Sequence, residues 1–211
     1  MLRDGIEVIT APTTWAGFKK QDFPSFYTYA NTHGDFNKRN GLHFHFDRAF
    51  FATEDRDNAL KAAVLIDLMV YKYFDFFATI CRRPAGQFNY AYKKEGVRNL
   101  LTASTNNANR AHSMAVNQSG ENTIELRIFG GYIKTAADFY AALDIAQALA
   151  RWAKAAPLST ADKATPCALV KYIKDPPAVL DFVKNPHEAA PRTANGDALL
   201  KDFIKALKEG A

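Results

Sequence analysis

The sequence predicts an α+β protein: a mainly antiparallel sheet packed by helices, followed by a helical C-terminal extension. Three observations carry that prediction. Short stretches in which apolar and polar side chains alternate lie before residue 131. Two extended stretches, 110–117 and 122–129, flank the turn-like Gln118-Ser119-Gly120-Glu121, as the arms of a hairpin do. The long helical patterns are segregated from these stretches rather than strictly alternating with them, which disfavours a parallel βαβ sheet.

Taken in order, residues 5–10 (GIEVIT) alternate until Pro12 stops them, and they read as a short strand. Residues 18–29 are aromatic and irregular, a short helix or a loop. Residues 32–40, with His33, Gly34, Asp35 and Asn37, read as a loop. A second strand follows at 42–47. Thr53 is a good helix cap with Glu54 and Asp55 in the first turn, where they complement the helix dipole. The four-residue rhythm of Leu60, Val64, Leu68 and Tyr71 extends that helix to about residue 80. Pro84 to Asn89 ends it. Residues 90–101 carry Lys93, Lys94 and Arg98 without a clear period and read as a solvated basic segment.

Residues 110–117 and 122–129 form the hairpin arms. Thr135 then caps a second long helix, with Asp138 three residues on. Leu143, Ala146, Leu149 and Trp152 carry its apolar rhythm to about residue 154 before Pro157 closes it. Pro166, Pro176, Pro177, Pro186 and Pro191 break the remainder into short helical pieces. A final amphipathic helix at 197–208 lines up Leu199, Leu200, Phe203, Ile204 and Leu207. The expected division is a core at 1–156 and a helical extension at 157–211.

Composition narrows the classes. The chain has 211 residues and is 48% hydrophobic, enough for a sizeable core and too apolar for disorder. No run approaches the roughly 18–20 apolar residues of a membrane span. The N-terminal MLRDGIEV lacks a signal-peptide h-region. Cys81 and Cys167 share no motif and read as reduced thiols, so the expected location is cytoplasmic. The net charge of +5 favours anionic ligands such as nucleotides. The basic clusters, among them Arg82-Arg83, are short and scattered, so nucleic acid is not the expected partner. There is no P-loop, and Gly130-Gly131 matches neither glycine fingerprint for phosphates.

Two strands hold the candidate chemistry. In GLHFHFDRAFF, from Gly41 to Phe51, alternation sets His43, His45 and Asp47 on one face and Leu42, Phe44 and Phe46 on the other. In NTIELRIFGG, Glu125 and Arg127 share a face opposite Ile124, Leu126 and Ile128. Side by side, the strands would gather imidazoles, carboxylates and a guanidinium on one surface. Carboxylate and imidazole hold divalent ions, and a guanidinium clamps phosphate or carboxylate in a fork. The bland alternative is a half-exposed polar face with surface ion pairs, which are worth little. His43, His45 and Asp47 would also suit a zinc hydrolase with an open position.

GLHFHFDRAFF, then RAHSMAVNQSGENTIELRIFGG, then an amphipathic helix, resemble the amidoligase family of glutamine synthetase-like carboxylate–amine ligases, often found in phages and mobile elements. The matched positions include Gly41, Leu42, His43, His45, Arg110, Ala115, Val116, Asn117, Thr123, Glu125, Arg127 and Phe129, and DGIEVITAP resembles an earlier strand of that family. The resemblance spans residues 4–155. It implies a glutamine synthetase-like fold and ATP-dependent amide formation through an acyl phosphate, with magnesium. It further implies catalytic roles for His43, His45, Arg127 and Arg110, and nucleotide binding by Arg110, Arg127 and Asn117. Glu125, His43 and Asp47 would hold metal. The co-substrate would be a small-molecule or peptide carboxylate.

The pattern departs from the family in three places. A preceding G-x-E-x-E strand is missing because Met1 lies just before DGIEV, Asp47 replaces a small or hydroxyl residue, and GGYIK replaces G-T-L. These departures set up a second expectation: a shortened, catalytically inactive relative, phage-encoded, that binds and inhibits a host protein.

Overall fold

A computed structural model of the chain describes residues 10–34, 41–52, 57–83, 115–117, 120–161, 163–185 and 193–210. Most of the expected strand at 5–10, the cap at Thr53, the basic segment at 90–101 and Arg110 lie outside the described residues.

Strands form at β1 (Gly41–Asp47), β2 (Val116–Asn117) and β3 (Thr123–Gly130); of the expected hairpin arm at 110–117, residues 110–114 lie outside the described residues. They make an antiparallel sheet in the order β1-β3-β2. The central strand is the one richest in buried apolar residues: Ile124, Leu126, Ile128 and Phe129 are all buried. The β1–β3 ladder is interrupted. Leu42 pairs with Phe129 and Phe44 with Leu126, so Arg127 and Ile128 together oppose the single residue His43. This bulge changes the alternation. Strict alternation would set Phe129 beside Glu125. The bulge instead turns Phe129 to the core, where its ring meets Phe44 edge to face at 5.3 Å.

The aromatic segment before the sheet forms two helices, α1 (Trp15–Lys19) and α2 (Phe23–His33). Asp22 caps α2 by accepting from the Ser25 N–H, and Pro24 sits in its first turn, where a missing N–H costs nothing. The Phe23 ring stacks on Phe139 at 4.2 Å, so tertiary packing organises a stretch with no clean period of its own. His33, expected in a loop, ends α2 and stacks on Tyr29.

A short helix, α3 (Arg48–Phe51), leaves the end of β1. The single helix expected up to residue 80 is two, α4 (Asp57–Lys72) and α5 (Phe74–Ile80). Tyr73 breaks it, with φ −114° and ψ 37°. Its hydroxyl donates to the Ala164 carbonyl at 2.8 Å, a long-range contact that local periodicity does not anticipate. The turn lets α5 bury Phe76 and Phe77. The expected apolar stripe holds in part. Val64 is buried and Leu68 and Tyr71 are half-buried, but Leu60 is exposed, and Ala62, Ala63, Leu65, Ile66, Met69 and Val70 are buried as well. Packing on several sides buries most of α4 after its first turn, even Asp67.

The second long helix is α6 (Ala136–Ala155), capped as expected by Thr135, whose hydroxyl accepts from the Asp138 N–H at 3.0 Å. Two 3₁₀ turns (Leu158–Thr160 and Pro166–Tyr172) lead to α7 (Pro176–Lys184) and α8 (Ala194–Glu209). Leu169, Val179, Phe182, Leu200, Phe203 and Leu207 belong to the same buried cluster as the sheet residues. Two buried charges reinforce the join. The Asp144 carboxylate on α6 accepts from the Lys174 and Asp175 N–H groups, at 2.9 and 2.8 Å, just before α7. Burial pushes that carboxyl up, against the pull of those donors.

Arg82, just past α5, forms an ion pair with Asp138 at 3.0 Å and donates to the carbonyls of Tyr132, Phe182 and Asn185. The chain is therefore α+β, mostly helical, with a small antiparallel sheet. No helix among the described residues is long and apolar enough to cross a membrane. Neither cysteine is in a disulfide.

Because the Phe203 ring is wholly buried against Phe76, at 5.2 Å between centroids, Phe203→Ala should cost about 3–5 kcal/mol in urea unfolding at neutral pH. A loss under about 1 kcal/mol would mean that α8 packs only loosely on the core.

Candidate functional site

The pairing of β1 with β3 brings the two motifs together. His45 lies directly opposite Glu125, and on the other side Asn117 of β2 lies opposite Glu125 as well. Glu125 is thus the centre of the cluster, and it is only 6% exposed. Its Oε1 accepts from Arg127 Nη1 at 2.6 Å and faces His43 Nδ1 at 3.1 Å. His45 Nε2 stands 3.7 Å from the same oxygen, close enough for a charge contact but too long for a hydrogen bond. Oε2 accepts from Asn117 Nδ2 at 2.8 Å. Burial by itself would push the Glu125 carboxyl up. The hydrogen bonds from His43 and Asn117 and the charge of Arg127 outweigh it and bring the carboxyl down to about 2.

The bulge helps to build this arrangement. Doubling β3 opposite His43 brings the imidazole over Glu125 while Phe44 stays in the core. The His43 ring packs close to Gly41, where a Cβ would stand 3.0 Å from Nε2. The opening of the site is at His45, whose side chain is 55% exposed.

The structure thus assembles His43, His45, Asn117, Glu125 and Arg127. Asp47 is not gathered in. Its Oδ1 accepts from the Ala49 N–H at 2.8 Å and caps α3, because it is the last residue of β1 and the N-cap of the next helix. Arg110 lies outside the described residues. Sequence reasoning passed over Arg83, whose Nη1 donates to the Arg127 carbonyl. The signal available was its place, in a basic pair that closes a buried helix just before Pro84.

A magnesium site does not follow from the described residues. Magnesium requires about six oxygens in near-octahedral geometry. Here Glu125 supplies the only carboxylate of the cluster, with Oε1 engaged by Arg127 and His43 and Oε2 by Asn117. Among the described residues, no group of three or more His, Cys, Asp or Glu side chains is placed to hold a metal ion.

No protein-family model, curated protein or solved structure matches the chain.

Because the folded Glu125 carboxyl lies below its ordinary value of 4.5, the stability it contributes is complete above about pH 4.5 and is lost as pH falls toward 2. Glu125→Gln should therefore be less stable than the wild type at about pH 7, by on the order of 2 kcal/mol, and the gap should close in acid. Urea unfolding of both proteins across that range checks it. A gap that stays constant with pH would place the stabilisation elsewhere.

Proposed function

We propose that the chain is an ATP-dependent carboxylate–amine ligase of the glutamine synthetase-like amidoligase class, working in the cytoplasm. One observation carries the reading. Residues of two motifs some eighty positions apart, about the length of a small domain, converge on the ionised carboxylate of Glu125. ATP supplies the phosphoryl group that activates the substrate carboxylate. An amine then attacks the acyl carbon, phosphate leaves, and the amine gives up a proton.

The chain's own residues suit the charge movements of such a reaction. Arg127 keeps donors beyond the one that meets Glu125, and a guanidinium can hold a transferring phosphoryl group or a carboxylate. Glu125 fixes the Arg127 head and engages His43 Nδ1, leaving Nε2 directed away from the carboxylate. Asn117 holds the far oxygen of Glu125, so the carboxylate cannot rotate away from its partners. His45, at the open side, is placed to meet an arriving anion.

A second reading is favoured by a specific observation: Glu125 is already neutralised by protein donors on both oxygens. A face so satisfied suits a catalytically inactive relative, phage-encoded, that binds a host protein.

Phosphate release from ATP, measured over a panel of carboxylates and amines, separates the two. The ligase reading expects release that depends on both co-substrates and falls on the order of 10²–10³-fold in Arg127→Ala. Release that ignores the amine, or is absent throughout, supports the binding reading.

A further inference from the structure

The segment 81–83 between α5 and Pro84 is bound to the site strand more closely than a connector requires. The Gly130 N–H donates to the Cys81 carbonyl at 2.9 Å. A Cβ on Gly130 would stand 2.3 Å from the Arg82 oxygen and 2.9 Å from the Arg83 Cα, so only glycine allows this approach. Arg82 has φ 54°, in the left-handed region, and is the one non-glycine residue with positive φ among the described residues. Such strain persists only where surrounding structure over-determines it. Here it does: the Arg82 side chain is held by Asp138 and three carbonyls, and its guanidinium lies 4.2 Å from the centre of the Phe182 ring.

The consequence falls on the next residue. With Arg82 pinned in this conformation, Arg83 reaches the bulge. Its Nη1 donates to the carbonyl of Arg127, one of the two β3 residues that oppose His43. The same Nη1 is 3.7 Å from the point where a Cβ on Gly41 would stand, and His43 Nε2 is 3.0 Å from that point. Arg83 therefore sits at the place where the ladder changes register, beside both His43 and Arg127. Bulges next to active sites re-aim side chains, and this one carries a buttress.

We infer that Arg83 is a positioning residue: by holding the Arg127 carbonyl at the bulge, it aims Arg127 and His43 at Glu125. The inference rests on reading the Glu125 cluster as the reacting site. Arg83→Gln, too short to reach the carbonyl, and Arg83→Lys, which keeps the length and a donor, test it in the full chain. The first readout is long-range proton–nitrogen NMR of the His43 ring, with circular dichroism to follow the fold. The expected result is a wild type and a Lys variant with His43 protonated at Nδ1, and a folded Gln variant in which that preference is lost.

The second readout is turnover, if ATP-dependent turnover is found. Arg83→Gln should lower kcat on the order of 10²-fold with KM nearly unchanged, the pattern of a misplaced catalytic group. An unaltered His43 spectrum in Arg83→Gln overturns the inference. So does loss of the folded state in that variant, which would make Arg83 a stability residue. Absence of turnover in the wild type, with the His43 spectrum still responding to Arg83, refutes the ligase reading and leaves the positioning role standing.

Discussion

The burial of one guanidinium, that of Arg82, is the constraint around which the rest of the structure is arranged. A charge taken out of water must be paired and hydrogen-bonded, or its desolvation goes uncompensated. Arg82 meets that demand with partners from three separate parts of the chain: Asp138 at the start of α6, Tyr132 after β3, and Phe182 and Asn185 at the end of α7. Each partner is thereby fixed relative to the others. The end of the sheet, the start of α6 and the end of α7 meet at one buried cation. With its backbone in the left-handed region, the Arg82 side chain reaches all of them, and these contacts hold that conformation in place.

Glu125 plays the complementary part on the sheet. It is a buried anion with donors on both oxygens, and removing a donor would leave charge unpaired at low dielectric. Such a network adds little net stability compared with an apolar core, but it admits few arrangements. That rigidity is what a reacting site needs, because a group displaced by about an ångström loses much of its effect. The two buried charges are linked through the backbone. Arg83, next to Arg82, holds the carbonyl of Arg127, and Arg127 holds Glu125. The C-terminal helices and the charged face of the sheet are therefore neighbours in one mechanical assembly.

Much of this was legible in advance. The period-two pattern located β1 and β3 within a residue at each end, because the alternation of side chains across a strand is a local property. Thr135 was readable as a cap for the same reason, since a hydroxyl needs to reach only the third N–H beyond it. The placing of His45 and Arg127 beside Glu125 followed from two alternating strands laid side by side. Other features were not legible. Asp47 shares the alternation of His43 and His45, yet it serves the next helix, because it stands at the junction of two elements and the nearer N–H group captured it. Tyr73 sits within an unbroken helical pattern, and its hydroxyl's partner, Ala164, is far along the chain.

What the sequence by itself determined is the α+β fold class, the position of the two principal strands and the face on which most of the charged residues would gather. Those follow from forces that act between residues two to four apart, where spacing is sufficient information. The tertiary structure alone decided that Glu125 is buried rather than solvated, that a bulge turns Phe129 inward and brings His43 over the carboxylate, and that Arg82 and Arg83 serve the fold and its charged face. These depend on which distant groups arrive to satisfy a buried charge. Pairing a charge in low dielectric is a property of the assembled surroundings, and no local pattern encodes it.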